Sequence, residues 1–417
     1  MSTGKLQAAR GTQDVLPAQA PERLALERVA RRVLEGAGYE RIETPTFEAT
    51  DLFSRGVGTS TDIVQKEMFT FRDRGDRSLT LRPEGTAPVM RAYLEHGMHK
   101  LPQPVKLWYW ESFFRDERMQ AGRYKQFWQV GAEAIGASGP SVDAELITLL
   151  HTILSEVGVG DLKVRLGSLG TAQTRAAYRE RLVAYLRTHE ERLSAEVRER
   201  IDLNPLRAFD ADDPGTREVM AGAPLLLDEL DAGDAEHFAA VRARLDAADV
   251  PYVIDPTLVR GLDYYTRTVF EFESGALAAA QAAVGGGGRY DGLAEQLGGP
   301  ATPGIGWAAG IERILIAAEP SLHPVAICDL YVAGEGLTAF ALAAQARKAG
   351  LAVQQELAGR SAKGALKQAA RLKATCVALV DEAAGTIELK DTESGEQTVA
   401  TDTTEVIARA LKGRHPG

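Results

Sequence analysis

The chain has 417 residues, 45% hydrophobic and 25% charged, with a net charge of −10 and a pI near 5.4. That is the composition of an ordinary soluble globular protein, long enough for two or three domains at roughly 100–200 residues each. It argues against a uniformly basic nucleic-acid binder. With Cys328 and Cys376 as the only cysteines, it also excludes a disulfide framework or a zinc-finger spacing, and a reducing cytoplasm is the simple expectation. The N-terminus lacks the apolar core of a secretory signal, and no run approaches the ~18 apolar residues of a membrane span.

In chain order, Pro21 opens a helical pattern on Leu24, Leu26, Val29, Val33 and Leu34, closed by Gly36 and Gly38. GYERIETPTFEATDLF reads as a strand interrupted at Pro45. Arg77–Leu81 reads as a strand and Pro83–Glu95 as the start of a helix. Lys106–Trp110 and Lys125–Val130 read as strands flanking a polar loop, Arg115–Gly122, and Asp143–Val157 as an apolar-periodic helix. From about Gly170 the character changes: Thr171–Ile201 and Glu229–Ala248 are rich in Arg, Glu, Ala and Leu at helical spacing. This is the pattern of a helical insertion between two sheet-forming halves. Strand-and-glycine character returns over Leu258–Phe272 and Ala282–Ala318. Ser321–Pro324 reads as a linker. Beyond it, strands alternate with helices and end in a hairpin across IELKDTESGEQTVA, which suggests a small α/β domain with a largely parallel sheet. The expected division is a catalytic core over 1–169 and 251–320, an insertion over 170–250 and a further domain over 327–417.

Five segments carry more polar chemistry than packing needs. LVRGLDYYTRTVFE (Leu258–Glu271) places Arg260, Asp263, Tyr264, Tyr265, Arg267 and Glu271 in one apolar run, the inventory of a pocket for an anion and a small polar ligand. FFRDERMQAGRYKQFWQVGAE (Phe113–Glu133) crowds Arg115, Glu117, Arg118, Gln120, Arg123 and Lys125 into one loop. An arginine fork suits phosphate, although a solvated hairpin tip would look the same. In LRPEGTAPVMRAYLEH, Glu84 and Thr86 fall where a strand gives way to a helix. They could grip an ammonium group or simply cap the helix. AAVGGGGRYDGL is neither a P-loop nor a dinucleotide fingerprint, and reads as a flexible turn or a site wall. GIGWAAGIERI puts Arg313 near a helix start after small residues, where it suits a polyphosphate or a surface ion pair.

The order of these segments resembles the class II aminoacyl-tRNA synthetases and, within them, the histidyl-tRNA synthetases. The likeness runs from ARGTQDVLP (Ala9–Pro17) through TLRPEGTA to SGEQ (Ser394–Gln397). Tyr39–Phe47 resembles the class's first, dimer-forming motif, Phe114–Glu117 its second and Gly310–Arg313 its third. LVRGLDYYTRTVFE and GGGGRYDGL resemble the two histidine-specific motifs. The resemblance implies an α+β catalytic core, an antiparallel sheet flanked by helices, with a helical insertion and a C-terminal anticodon-binding domain. It implies a cytoplasmic homodimer that joins L-histidine to tRNA(His) through a histidyl-adenylate, with ATP as substrate and Mg²⁺ bound with it, and no resident metal.

By the same resemblance, Arg115 and Arg260 would face the α-phosphate and the histidine carboxylate, and are the expected catalytic pair. Arg313 would hold the outer phosphates, with Arg123 also at the nucleotide, and Glu117 would read adenine. Glu84, Thr86 and Gln129 would bind the α-amino group. Glu133 and Tyr265 would bracket the imidazole, with Tyr264 close by. Arg118 and Gln120 would meet the end of the tRNA acceptor stem. The chain departs from the family pattern at Glu111-Ser112 (usually Gly-Pro), at Met119 (often Pro) and at Trp128 (often His). A non-catalytic, histidine-binding regulatory paralogue of histidine biosynthesis is the alternative reading. Such proteins usually lack the C-terminal domain and parts of the Arg-Gly-Leu-Asp-Tyr-Tyr motif, and this chain keeps both. Lys363, Lys367, Arg371 and Lys373 form either a tRNA-facing stripe or a solvated face.

Overall fold

The computed structural model describes residues 5–58, 61–119, 122–259, 262–278, 282–318 and 328–412. Arg260, Gln120 and the 321–324 linker lie outside them. Two units result, residues 1–322 and 323–417.

In the first unit the strands are β1 (Glu40–Arg41), β2 (Phe47–Ala49), β3 (Thr70–Arg72), β4 (Ser78–Leu81), β5 (Val105–Phe114), β6 (Gln126–Ile135), β7 (Leu162–Ser168), β8 (Val253–Ile254), β9 (Thr266–Ser274), β10 (Ala283–Arg289) and β11 (Gly304–Gly310). The main sheet has the order β1-β5-β6-β11-β10-β9-β7-β8. It is antiparallel from β5 to β7, with the short β1 and β8 parallel at its edges. A small sheet, β2-β4-β3, stands apart from it.

The helices are α1 (Ala20–Gly36), α2 (Thr50–Gly56), α3 (Thr86–Glu95), α4 (Pro140–Glu156), α5 (Ala172–Thr188), α6 (Ala195–Arg200), α7 (Pro214–Met220), α8 (Ala232–Ala247), α9 (Leu293–Gln296) and α10 (Ile311–Ala317). In α1, Leu26, Ala30, Val33 and Leu34 are buried at helical spacing, so one stripe packs and the rest is solvated.

Strand alternation divides the core. Trp108, Trp110, Val130, Ala132 and Ala134 pack on one face with α1 and α4 residues. Leu107, Tyr109 and Phe113 pack on the other with residues of α3, α5 and α7.

Several elements differ from the sequence expectation. The 39–53 stretch is two short strands in different sheets, followed by α2. Thr44 is held between them by its N–H to Glu111 Oε1 (3.0 Å), beside Pro45. β5 and β6 run four to five residues past their expected ends. Glu111, mid-strand, is buried against Arg82, and Gly131 sits where a side chain would strike the ring of Tyr109. The glycine run is a central strand rather than a turn. A Cβ on Gly287 would overlap the Gly306 carbonyl and lie 2.7 Å from Trp307 Cα, and one on Gly288 would lie 2.6 Å from the Thr268 carbonyl oxygen. Here glycine is required by close strand approach, not by a turn.

Arg289 closes that strand fully buried. Its Nη2 donates to Asp143 Oδ1 (2.5 Å) and to the Gly139 carbonyl (3.1 Å), and its Nε to Asp143 Oδ2 (3.1 Å). His237 of α8 (2.8 Å) and Thr268 of β9 (2.6 Å) share the same carboxylate. Burial alone would raise the Asp143 carboxyl, but His237 and Arg289 hold it below its ordinary value.

The second unit has strands β12 (Leu330–Ala333), β13 (Val353–Gln355), β14 (Cys376–Asp381), β15 (Thr386–Asp391) and β16 (Gln397–Ala400), with helices α11 (Leu337–Lys348), α12 (Ala362–Arg371) and α13 (Thr403–Lys412). Its sheet, β13-β12-β14-β15-β16, is mixed, parallel across the first three strands and antiparallel in the terminal hairpin. Leu330, Val332, Leu342, Ile387 and Val406 form its own core. Lys363, Lys367 and Arg371 are exposed along one stripe of α12, and Lys373 lies beyond the helix end.

Candidate active site

A cavity of about 280 Å³ lies over the middle of the main sheet. The β5–β6 hairpin supplies Tyr109, Arg115, Glu117, Arg123, Phe127 and Gln129. The β4–α3 junction supplies Glu84, Gly85 and Thr86. Leu262, Tyr264 and Tyr265 come from the segment before β9, and Glu271 from β9 itself. Gly285 and Gly286 come from β10, Gly310 from the end of β11, and Glu312 and Arg313 from the first turn of α10.

Glu84 is buried at the start of α3. Its carboxylate accepts the backbone N–H groups of Thr86 (2.8 Å) and Ala87 (2.9 Å) and the Tyr264 hydroxyl (3.4 Å). It therefore caps the helix and lines the cavity at once. Burial pushes its carboxyl up, and the two N–H groups and Arg115 pull it back in part.

Thr86 gives its hydroxyl to Glu133 Oε1 (2.8 Å), and Tyr290 gives its own to Oε2 (2.6 Å). Glu133 thus lies behind the cavity lining with both oxygens engaged. Burial raises its carboxyl from 4.5 to about 8, against the opposing pull of Tyr290 and Thr86. Gln129 Oε1 is buried without a hydrogen-bond partner among the described residues, as is the Tyr109 hydroxyl. Such groups are costly to bury unless a ligand completes them.

The other end is cationic. Arg115 is fixed by Nε–H to the Pro83 carbonyl (2.9 Å), with its guanidinium 5.3 Å from the centre of the Phe127 ring. Arg123 pairs with Glu117 at 3.5 Å. Burial, and then the nearby Arg123, hold the Arg313 guanidinium below its ordinary value, against the opposing pull of Glu117 and Glu271.

Nine expected residues therefore meet in one cavity: Glu84, Thr86, Arg115, Glu117, Arg123, Gln129, Tyr264, Tyr265 and Arg313. Glu133 lies just beneath it, and Arg118 is exposed outside its lining. Arg260 and Gln120 fall outside the described residues.

Sequence reasoning missed Tyr109 and Phe127 as lining groups, whereas Glu271, part of the pocket inventory read in Leu258–Glu271, does line the cavity. Strand alternation could have found Tyr109, which pairs across the hairpin with Gly131, a residue without a side chain. The Trp128 side chain packs on the opposite face of the sheet, where Arg23 stacks 4.6 Å from its ring centre. Position 128 touches the cavity only through its backbone N–H, which donates to the lining residue Glu312 (3.0 Å). Glu111 likewise joins Arg82 and Thr44 in a buried network outside the lining.

An antiparallel sheet carrying a hairpin arginine, with a second arginine opening the helix after its central strand, is the catalytic architecture of a class II aminoacyl-tRNA synthetase. A family model for histidyl-tRNA synthetase matches residues 11–314. A histidine–tRNA ligase of Desulforamulus reducens is 46% identical over 398 residues, covering 93% of this chain and 95% of the relative. One of Halorhodospira halophila is 46% identical over 425 residues, covering 99% and 100%. The apo histidyl-tRNA synthetase of S. aureus matches with a TM-score of 0.80 at 34% identity, covering 97% of this chain and 99% of that one. The chain belongs to the histidyl-tRNA synthetase family.

Proposed function

We propose that this chain is a histidine–tRNA ligase and that the cavity performs both of its steps. The histidine carboxylate attacks the α-phosphate of ATP, releasing pyrophosphate, and the terminal ribose hydroxyl of tRNA(His) then takes the histidyl group from the adenylate. The observation that carries the site assignment is the cavity's two ends: an unpartnered Gln129 Oε1 with the buried Glu84 at one, and Arg115, Arg123 and Arg313 among Glu117 and Glu271 at the other.

The α-amino group would donate to Gln129 Oε1 and to Glu84, with Thr86 beside them. The imidazole would lie between Tyr265 and the buried Glu133, with Tyr264, packed edge-to-face on Tyr265, close by. Pairing buried polar groups with a ring that has two nitrogens rejects apolar isosteres strongly. Arg115 would neutralise charge developing on the α-phosphate, with Arg260 opposite it. Arg313 and Arg123 would hold the outer phosphates and Glu117 the adenine amino group. Catalysis of this kind is positioning plus charge stabilisation.

Mg²⁺ bound with the nucleotide would be held by its phosphates and by one or two carboxylates such as Glu271, which lines the cavity. The cation would screen phosphate charge.

Arg118, exposed on the hairpin loop, and Gln120 would meet the tRNA acceptor end. Homodimerisation is supported by Phe47 and Phe71, half exposed and edge-to-face (6.1 Å) on the small sheet beside the segment resembling the class's dimer motif. A cytoplasmic location accords with two buried free cysteines, and no described helix is long and apolar enough to cross a membrane.

Histidine-dependent exchange of pyrophosphate into ATP, followed by charging of tRNA(His), tests the reading. Folded protein that shows no exchange with histidine rules it out.

A further inference from the structure

The chain that presents Tyr264 and Tyr265 is gripped from outside the sheet, by the insertion. Arg175, near the start of α5, donates through Nη1 to the carbonyl oxygens of Tyr265 and, at 3.5 Å, Asp263. Asn204 donates to Asp263 Oδ1 (3.3 Å). Two residues past Tyr265, Arg267 adopts φ +49°, a left-handed conformation that costs a non-glycine residue about 1–3 kcal/mol. It is held there by Asp234 of α8 (Nε to Oδ1, 2.9 Å). Its own N–H bonds the Gly170 carbonyl and its carbonyl the Leu169 N–H, both at 2.7 Å.

The grip extends to the neighbouring loop. Asp62 accepts from both Arg200 and Arg207 of the insertion (3.2 Å each), and the Val57 carbonyl accepts the Asp263 N–H (3.3 Å). Arg175 is mostly buried, and its side-chain acceptors here are main-chain carbonyls rather than a solvent-facing phosphate site.

We infer that Arg175 is a positioning residue for histidine activation: it sets the main chain at Asp263 and Tyr265, and through it the tyrosine side of the histidine pocket. The insertion then acts on the first chemical step, before any tRNA is present. This rests on the adenylation reading above, and the experiment separates the two.

Wild-type protein is assayed first, by histidine-dependent pyrophosphate exchange and by calorimetric histidine binding without tRNA; absence of both removes the adenylation reading and this inference together. Arg175→Met keeps the side-chain length and removes the donors. It is expected to raise KM for histidine about tenfold while KM for ATP stays within about twofold. Arg175→Lys, which can still donate to both carbonyls, should recover most of the loss. Asn204→Asp sets a like charge against Asp263 and should raise histidine KM about threefold, so it decides the matter if Arg175→Met does not fold. An unchanged histidine KM in these variants overturns the inference, and so does an equal loss toward histidine and ATP in folded protein.

Discussion

The two walls of the cavity are built on opposite plans. The β5–β6 wall presents Tyr109, Arg115, Phe127 and Gln129, side chains that can bond or stack on a ligand. The β10–β11 wall presents Gly285, Gly286, Ala308 and Gly310, so that what faces the ligand is nearly bare backbone. The first supplies chemistry and the second supplies room. A residue of the first kind can be lost with the fold intact, whereas a glycine of β10 cannot grow without moving its neighbouring strands.

That contrast can be broken most forcefully at Gly287. Gly287→Ala would drive a methyl into the Gly306 carbonyl and Trp307 Cα, and is expected to cost about 3 kcal/mol or to abolish soluble expression. Urea unfolding measures it, and a stable, active variant would show that the glycine wall is not sterically closed.

On the other wall, Arg115→Ala should slow histidine-dependent exchange by about 10²–10³-fold while leaving the urea midpoint nearly unchanged. A loss of stability of the same order as the loss of rate would erase the distinction between the walls.

Glu133 sharpens it in a third way. Because its carboxyl is raised from 4.5 to about 8, the folded state holds this proton more tightly than the unfolded chain does. The associated stability is present below pH ~4.5 and is lost as the pH rises towards ~8. Glu133→Gln should flatten that part of the pH–stability curve, read as urea midpoints across the interval. An identical slope in both proteins assigns the titration elsewhere.

The smallest effect belongs to Trp128→His. Its side chain is on the far face of the sheet, so histidine KM should change by less than about twofold, and a tenfold change would mean that the far face reaches the cavity.

Most of the cavity was legible because its residues violate the patterns of packing. An arginine, an acid and an amide along apolar strands, and two adjacent phenols, have little reason to be there otherwise. What stayed hidden has physical causes. Glu84 was weighed as either a helix cap or a ligand group, and in the fold its two oxygens cap α3 while the carboxylate lines the cavity. Glu133 carries the residue type of a direct ligand contact, yet its engagement by Thr86 and Tyr290 depends on residues 47 and 157 positions away. The glycine strand was ambiguous because glycine has no side chain from which to read a period, and only its partner strands explain it. Likewise the C-terminal hairpin could be read in IELKDTESGEQTVA, but the antiparallel pairing of β14 with β15 makes the sheet mixed rather than largely parallel.

The Asp143–Arg289 pair also bears on how the molecule is made. Arg289 leaves the ribosome 146 residues after Asp143, a delay of roughly 7–30 s at ordinary elongation rates. Throughout that interval the nascent first half holds a carboxylate whose burial depends on a cation not yet synthesised, with His237 arriving in between. The first half of the sheet is therefore unfinished until then, and a chain stopped just short of Arg289 should not mature into a stable half-domain.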